Sequence, residues 1–121
     1  MGCTSLTSVI IPASVTEIGD YAFCNCTSLT NVVIPDGVTK ILESAFENCT
    51  GLANIVISNG VTEINNSTFQ GCTSLTEVVI PKSVTVIETF AFKNCTSLAK
   101  VVKSRRTKIS VVAFVGCPYD K

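Results

Sequence analysis

The sequence predicts a mainly β solenoid of five coils with parallel strands, and two regularities predict it. Cysteines recur at a constant spacing at positions 3, 26, 49, 72 and 95, and the next, at 117, comes one position early. Apolar residues recur at the same interval in rows of leucine, valine, isoleucine and phenylalanine. A unit of this length cannot bury its own apolar residues, so we expect the units to stack around one continuous core.

We expect one domain over residues 1–121. Its repeats begin near Cys3, Cys26, Cys49, Cys72 and Cys95. Because the chain begins in the middle of a repeat, the sequence predicts a piece of a longer protein.

The composition argues against several classes of protein. The chain has 121 residues, of which 46% are apolar and 15% charged, which argues against disorder. No apolar run approaches the roughly 18 residues that a membrane span needs. The formal net charge is zero, which argues against a nucleic-acid binder. The chain has no histidine, the commonest general base, and no nucleophile–base pair stands out, so we expect no enzymatic activity, no metal and no cofactor.

The first element of each unit is predicted to be a short strand. In the second unit Val32, Val33 and Ile34 are β-branched, and Pro35 closes the run because proline cannot donate to a ladder. Residues 32 and 34 are expected to point inward and 33 outward. One such strand per unit builds a parallel sheet with a rise of about 4.8 Å per repeat.

The second half of each unit spaces its apolar residues differently. Ile41, Ala45, Phe46 and Cys49 lie at i, i+4, i+5 and i+8, which predicts one or two helical or 3-10 turns. A turn position follows, where a left-handed backbone is expected because asparagine and glycine tolerate it. It is occupied by Asn25, Asn48, Gly71, Asn94 and Gly116.

The last unit departs from the pattern. Lys103 replaces the inward isoleucine and Ser104 replaces the proline. A charged residue in a core row is typical of a terminal repeat whose outer face meets water. At the other end we expect about one uncovered apolar layer.

These rows resemble the leucine-rich repeats of the BspA-like type. That family repeats the pattern L-x-x-I-x-I-P-x-x-V-x-x-I-x-x-x-A-F-x-x-C in units of about 23 residues. The resemblance covers residues 2–117. It implies a curved leucine-rich-repeat solenoid with its strands on the concave face and no enzymatic activity.

The resemblance also implies a location and a kind of partner. It suggests adhesion or protein–protein contact at the surface of a cell or after secretion, with a host or extracellular-matrix protein as the partner. Because no basic region followed by an apolar stretch stands at the N-terminus, we expect no signal peptide in this sequence.

The outward positions of the predicted strands form the candidate binding surface. One column is polar or charged and consists of Ser8, Asn31, Asn54, Glu77 and Lys100. The next is wholly apolar and consists of Ile10, Val33, Val56, Val79 and Val102. The apolar column is explained either by β-propensity alone or by a contact stripe for a protein partner.

Charge is distributed unevenly along the chain. Residues 1–77 carry seven acidic residues against one lysine, and residues 78–121 carry eight basic residues against two acidic ones, giving −6 and +6. A basic patch of Lys103, Arg105, Arg106 and Lys108 would suit phosphate, an acidic glycan or anionic lipid, or is simply a solvated cap. A third interpretation is head-to-tail association into a homo-oligomer, with the basic end of one copy on the acidic end of another.

The cysteine and threonine rows have structural interpretations beside functional ones. The cysteines suit a buried corner of the core better than a metal or redox site, except Cys24, which we expect to be exposed. Threonine rows follow the cysteines and the valines, and regular threonine arrays can bind ice or carbohydrate. The favoured interpretation is that their hydroxyls bond to backbone at each coil.

Overall fold

The structure is a computed structural model that describes residues 5–119, and it confirms the solenoid. Strands pair in parallel with the equivalent segment one repeat further along the chain, as between Asn31 and Asn54. Within the described residues the strands are β1 Glu17–Ile18, β2 Asn31–Val33, β3 Lys40–Ile41, β4 Asn54–Val56, β5 Glu63–Ile64, β6 Glu77–Val79, β7 Val86–Ile87, β8 Lys100–Val102 and β9 Lys108–Ile109.

Each coil carries two kinds of strand rather than one. The three-residue strands are those that the sequence predicts, shifted by one residue, since β2 covers Asn31–Val33 rather than residues 32–34. The first coil adds an isolated bridge from Ser8 to Asn31. The two-residue strands form a second, five-stranded sheet in the order β1-β3-β5-β7-β9. The sequence does not predict this second ladder, because the spacing that begins at Ile41 indicates a helical turn.

The sheet of three-residue strands is interrupted in its middle. β2 pairs with β4 and β6 with β8, whereas β4 and β6 lie side by side without ladder pairing. The interruption falls at the third coil, where Ser58 stands in place of the proline of the second and fourth coils. The hydroxyl of Ser58 donates to the carbonyl of Pro35, 2.9 Å away, in the coil before it.

The inward and outward alternation of the predicted strand is confirmed. Val32 and Ile34 are buried, and Val33 between them is exposed. The next two coils repeat this pattern. The strand face, by which we mean the outer surface of the three-residue strands, therefore presents every second side chain to solvent.

The predicted helical turns are wrong: residues 5–119 contain no helix, and hence none that could cross a membrane. Tyr21 and Asn25 have φ of 59° and 64°, and such left-handed positions stop a right-handed helix from propagating. The segment is a series of β-turns in which alternate N–H groups donate to the next coil. These bonds run from Tyr21 to Glu43, from Phe23 to Ala45 and from Asn25 to Glu47.

The core consists of the predicted apolar rows. Leu29, Leu52, Leu75 and Leu98 are fully buried, as are Phe46, Phe69 and Phe92. Rings of successive phenylalanines from Phe23 to Phe114 stack with centroids 5.1–5.4 Å apart and planes within 16° of parallel. The stack holds each coil directly over the next.

The two ends of the stack differ. Tyr119 covers the last ring edge-on, 5.0 Å from Phe114, and its N–H donates to the carbonyl of Leu98. At the other end, Val9 and Val15 are only half-buried and line a hollow of about 220 Å³. The cover by Tyr119 was not predicted; its one sequence signal is an aromatic residue two positions after the last cysteine.

Candidate interaction surface

The five apolar side chains of the outward column form a continuous exposed stripe, which we call the apolar stripe. Their exposed fractions decrease steadily along the solenoid: Ile10 92%, Val33 61%, Val56 56%, Val79 51% and Val102 45%. Exposed β-branched side chains at five successive coils give one narrow apolar surface rather than scattered residues.

The strand register brings the predicted columns together. Val33 pairs with Val56 and Val79 with Val102, while Asn31 pairs with Asn54 and Glu77 with Lys100. The bridge from Ser8 to Asn31 extends the polar column into the first coil. Eight of the ten predicted residues therefore lie on the strand face, and Ser8 and Ile10 continue the two columns into the first coil.

The polar column has two chemically different halves. The side-chain amide of Asn54 donates to the amide oxygen of Asn31 at 2.9 Å, and that of Asn31 donates to the hydroxyl of Thr30 at 3.2 Å. In the other half, Glu77 and Lys100 are neighbours of opposite charge. A ligand on the apolar stripe would thus meet amides at one end and charges at the other.

Of the grooves beside the apolar stripe, two lie where successive three-residue strands end. The first, about 690 Å³ in volume, is lined by Val33 and Val56 and contains Asp36. The second, about 500 Å³, is lined by Val79 and Val102. We call the second the basic groove, because it contains Lys82 and Lys103.

Lys82 is a candidate functional residue that the sequence reasoning missed. It occupies the position of Asp36 and Asn59 in the two preceding coils, and Arg105 follows at the same interval. The repeat interval alone would have placed Lys82 beside the predicted basic patch.

The predicted basic patch is divided around a corner of the coil. Lys103 is half-buried in the basic groove, while Arg105 and Arg106 are exposed in the turn that follows. The N–H of Arg106 donates to the hydroxyl of Ser104, 3.1 Å away. Lys108 lies in β9, on the five-stranded sheet, and does not line the groove. Lys103 therefore shares the basic groove with Lys82, whereas Lys108 lies elsewhere on the coil.

The ladder cysteines from Cys26 to Cys95 are buried, as predicted, and thiols of the ladder bond to backbone. The sulfur of Cys72 donates to the carbonyl of Phe46 at 3.3 Å, and that of Cys95 to the carbonyl of Phe69 at 3.1 Å. Burial raises the pKa of Cys72 well above its usual range, which keeps the thiol protonated. These cysteines fill the core and satisfy a turn carbonyl.

The remaining described cysteines show no arrangement for a metal. Residues 5–119 contain no group of three potential ligands that could hold an ion. Cys24 is half-buried rather than exposed as expected. A hydrogen bond between the sulfurs of Cys95 and Cys117 lowers the pKa of the half-buried Cys117, and the same contact raises the pKa of Cys95. Cys3 lies outside the described residues.

The valine-following threonines bond to backbone, as predicted. The hydroxyls of Thr62 and Thr85 each donate to the carbonyl of the threonine one coil earlier, both at 3.1 Å. Thr107 donates to the carbonyl of Val84 at 2.9 Å. This row is therefore explained by hydrogen bonding between coils.

The repeat length, the strand register and the buried apolar rows are those of a known family of repeat sequences. A sequence model of the BspA type leucine rich repeat region matches residues 1–120 in six copies. The chain belongs to the BspA-type leucine-rich repeat family. Counting from the cysteines gives five units, and six complete units at that spacing would exceed the matched length, so the six copies include partial repeats. No curated protein matches the chain significantly.

Solved structures show the same fold. A leucine rich cell surface protein from Faecalibacterium prausnitzii is 38% identical over 93% of this chain, with a TM-score of 0.88, and the match covers 30% of that protein. The leucine rich repeat protein of T. pallidum is 33% identical over 81% of this chain, with a TM-score of 0.75 and 52% of its own length covered. A leucine-rich repeat protein from Bacteroides capillosus is 32% identical over 82% of this chain, with a TM-score of 0.71 and 78% of its length covered. The chain thus spans about a third to a half of the first two relatives.

Proposed function

We propose that the chain is a non-enzymatic adhesion module that binds a protein ligand through the strand face. The observation that carries this proposal is the apolar stripe, exposed at five successive coils. The family and fold are typically non-enzymatic, and one similar structure is described as a leucine rich cell surface protein, which supports a location at the cell surface or outside the cell. A host or extracellular-matrix protein is the proposed partner.

The physical case rests on the choice of valine. Threonine would supply the same β-propensity on an outward position without exposing apolar surface to water. Covering the stripe with a partner would contribute roughly 25 cal/mol for each Å² of apolar area removed from water. The neighbouring amides of Asn31 and Asn54 and the charges of Glu77 and Lys100 would then select the partner by hydrogen bonds and charge.

Binding to a panel of purified extracellular-matrix and surface proteins tests this proposal. We expect Val56→Lys to abolish binding of any ligand found, because it places a charge in the centre of the apolar stripe. Val111→Lys is the matched control, since Val111 is 89% exposed and lies outside the stripe. Unchanged binding by the Val56 variant, or equal loss in both variants, would reject the strand face as the site.

A second candidate is self-assembly into a structural array, and the observation that favours it is the charge asymmetry. Positions 1 to 77 carry −6 and the remainder +6, and an apolar hollow lies at the acidic end. A basic end placed on an acidic end makes a heterologous contact that can extend into a ring or filament.

Light scattering coupled to size exclusion, with reductant, tests assembly. We expect oligomers at low salt that dissociate at high salt, because exposed charges more than about 10 Å apart are screened at about 0.1 M. The double variant Arg105→Glu and Arg106→Glu should remain monomeric at both ionic strengths. A salt-independent monomer from the unmodified chain would exclude electrostatic assembly.

A further inference from the structure

The two grooves beside the apolar stripe have similar walls and opposite charge. Each is lined by two stripe valines and by the residues that follow the strand ends. In the turn row that both share, the residue changes from Asp36 through Asn59 to Lys82. The grooves therefore differ mainly in which charge they offer to a ligand.

The cations of the basic groove are available to a ligand. Within residues 5–119 neither Lys82 nor Lys103 has a carboxylate at ion-pair distance, and no acidic residue lines the groove. Lys82 is exposed and Lys103 is half-buried, and both line the groove. Ser104 adds a hydroxyl that accepts the N–H of Arg106, which leaves its own proton free to donate.

The remaining walls indicate what the anion is attached to. Val79, Pro81 and Val102 give the groove apolar sides, and no aromatic residue is among those that line it. Asn59 and Ser104 add an amide and a hydroxyl that can bond sugar hydroxyls, whereas a nucleobase would favour an aromatic ring on which to stack. A groove of about 500 Å³ has room for a sugar unit.

We propose that the basic groove binds a saccharide bearing sulfate or phosphate groups. Lys82 and Lys103 would contact the oxyanion, and the valine and proline side chains would contact the ring. Both kinds of group are tetrahedral oxyanions, which ammonium groups recognise by charge-assisted hydrogen bonds. This site shares Val79 and Val102 with the apolar stripe, but Val56, the proposed centre of protein binding, does not line the basic groove.

Titration calorimetry with the purified chain tests the proposal. The probes are a heparin-derived sulfated hexasaccharide, its desulfated form, a phosphorylated oligosaccharide of the same length and inorganic sulfate. We expect both anionic sugars to bind. Lys82→Gln should weaken their binding about tenfold, because it removes one charge-assisted hydrogen bond. Lys108→Gln is the matched control: it removes the same charge from the adjacent coil, outside the groove, and we expect a change of less than about twofold.

Three outcomes would overturn the proposal. Equal weakening by the Lys82 and Lys108 variants would mean that overall charge alone attracts the probe. Displacement of the hexasaccharide by inorganic sulfate at equal concentration would mean that the sugar contributes nothing. Absence of binding by either sugar, with binding to phosphatidylserine vesicles instead, would assign the charge to a membrane. Val56→Lys should leave saccharide binding intact, which separates a failure here from a failure of the protein-binding proposal.

Discussion

Gly71 lies at a corner where the backbone is left-handed, with a φ of +78°. We expect Gly71→Ala to lower the free energy of unfolding by about 1–2 kcal/mol, because an L-residue other than asparagine is strained there. A Cβ at this position would also meet the side-chain oxygen of Asn48. Urea denaturation followed by circular dichroism measures the change.

Gly19→Ala provides the control for this effect. A Cβ at Gly19 would meet nothing within 4 Å, and its φ is outside the left-handed region. The substitution should be neutral or stabilise the chain by up to about 1 kcal/mol, since alanine restricts the unfolded state. Equal destabilisation by both substitutions would show that backbone strain is not the cause.

Only one of the two left-handed rows could be predicted from single residues. Asn25 and its equivalents predict a left-handed turn, because asparagine tolerates a left-handed backbone conformation. The other row consists of Tyr21, Ser44, Ser67 and Phe90, all with φ near 60°. Tyrosine and phenylalanine carry no such signal, and hydrogen bonds to the next coil hold the row in place, as from Tyr21 to Glu43. This hydrogen bond forms only when one coil stacks on the next, and the residues of a single coil do not show that.

At the scale of elements, the phenylalanine stack makes a larger prediction. Phe69 is fully buried and stacks on Phe46 at 5.4 Å and on Phe92 at 5.2 Å. We expect Phe69→Ala to cost about 3–5 kcal/mol, the range for a buried ring replaced by a cavity. In a solenoid this loss also weakens the coupling of neighbouring coils.

Phe23→Ala is the matched comparison, because the same ring in the same row is half-buried and stacks on Phe46. Its cost should be roughly 1–2 kcal/mol, since less apolar surface is lost. Chemical denaturation of both variants measures the difference. Costs that are equal within error would mean that burial of the ring in the stack does not set its contribution.

The strands show how far a repeat pattern can predict an element. The period of two in Val32, Val33 and Ile34 correctly predicts the three-residue strands and which of their side chains are exposed. The spacing from Ile41 to Cys49 fitted a helix equally well, yet Ile41 is in a strand. A two-residue strand contains no periodicity of its own, and only pairing with the next coil defines it, as between Ile41 and Ile64.

At the scale of the whole molecule, the two ladders differ in continuity, and amide hydrogen exchange should report this. The N–H of Ile34 donates to Val56 at 2.8 Å and that of Ile80 to Val102 at 2.7 Å, bridging successive coils. Within residues 5–119 no such bond joins Ile57 to the next coil. We expect the amide of Ile57 to exchange faster than those of Ile34 and Ile80. Equal protection at the three amides, measured by NMR, would contradict the interruption.

The interruption between β4 and β6 also has a mechanical consequence. The five-stranded sheet forms an unbroken ladder that joins successive coils on one side of the solenoid. On the strand face, no ladder hydrogen bonds join β4 to β6. The step separates the amide half of the polar column from the charged half, between Val56 and Val79. A ligand lying across both halves would therefore itself connect the two coils at the step that, within residues 5–119, no ladder hydrogen bond spans on this face.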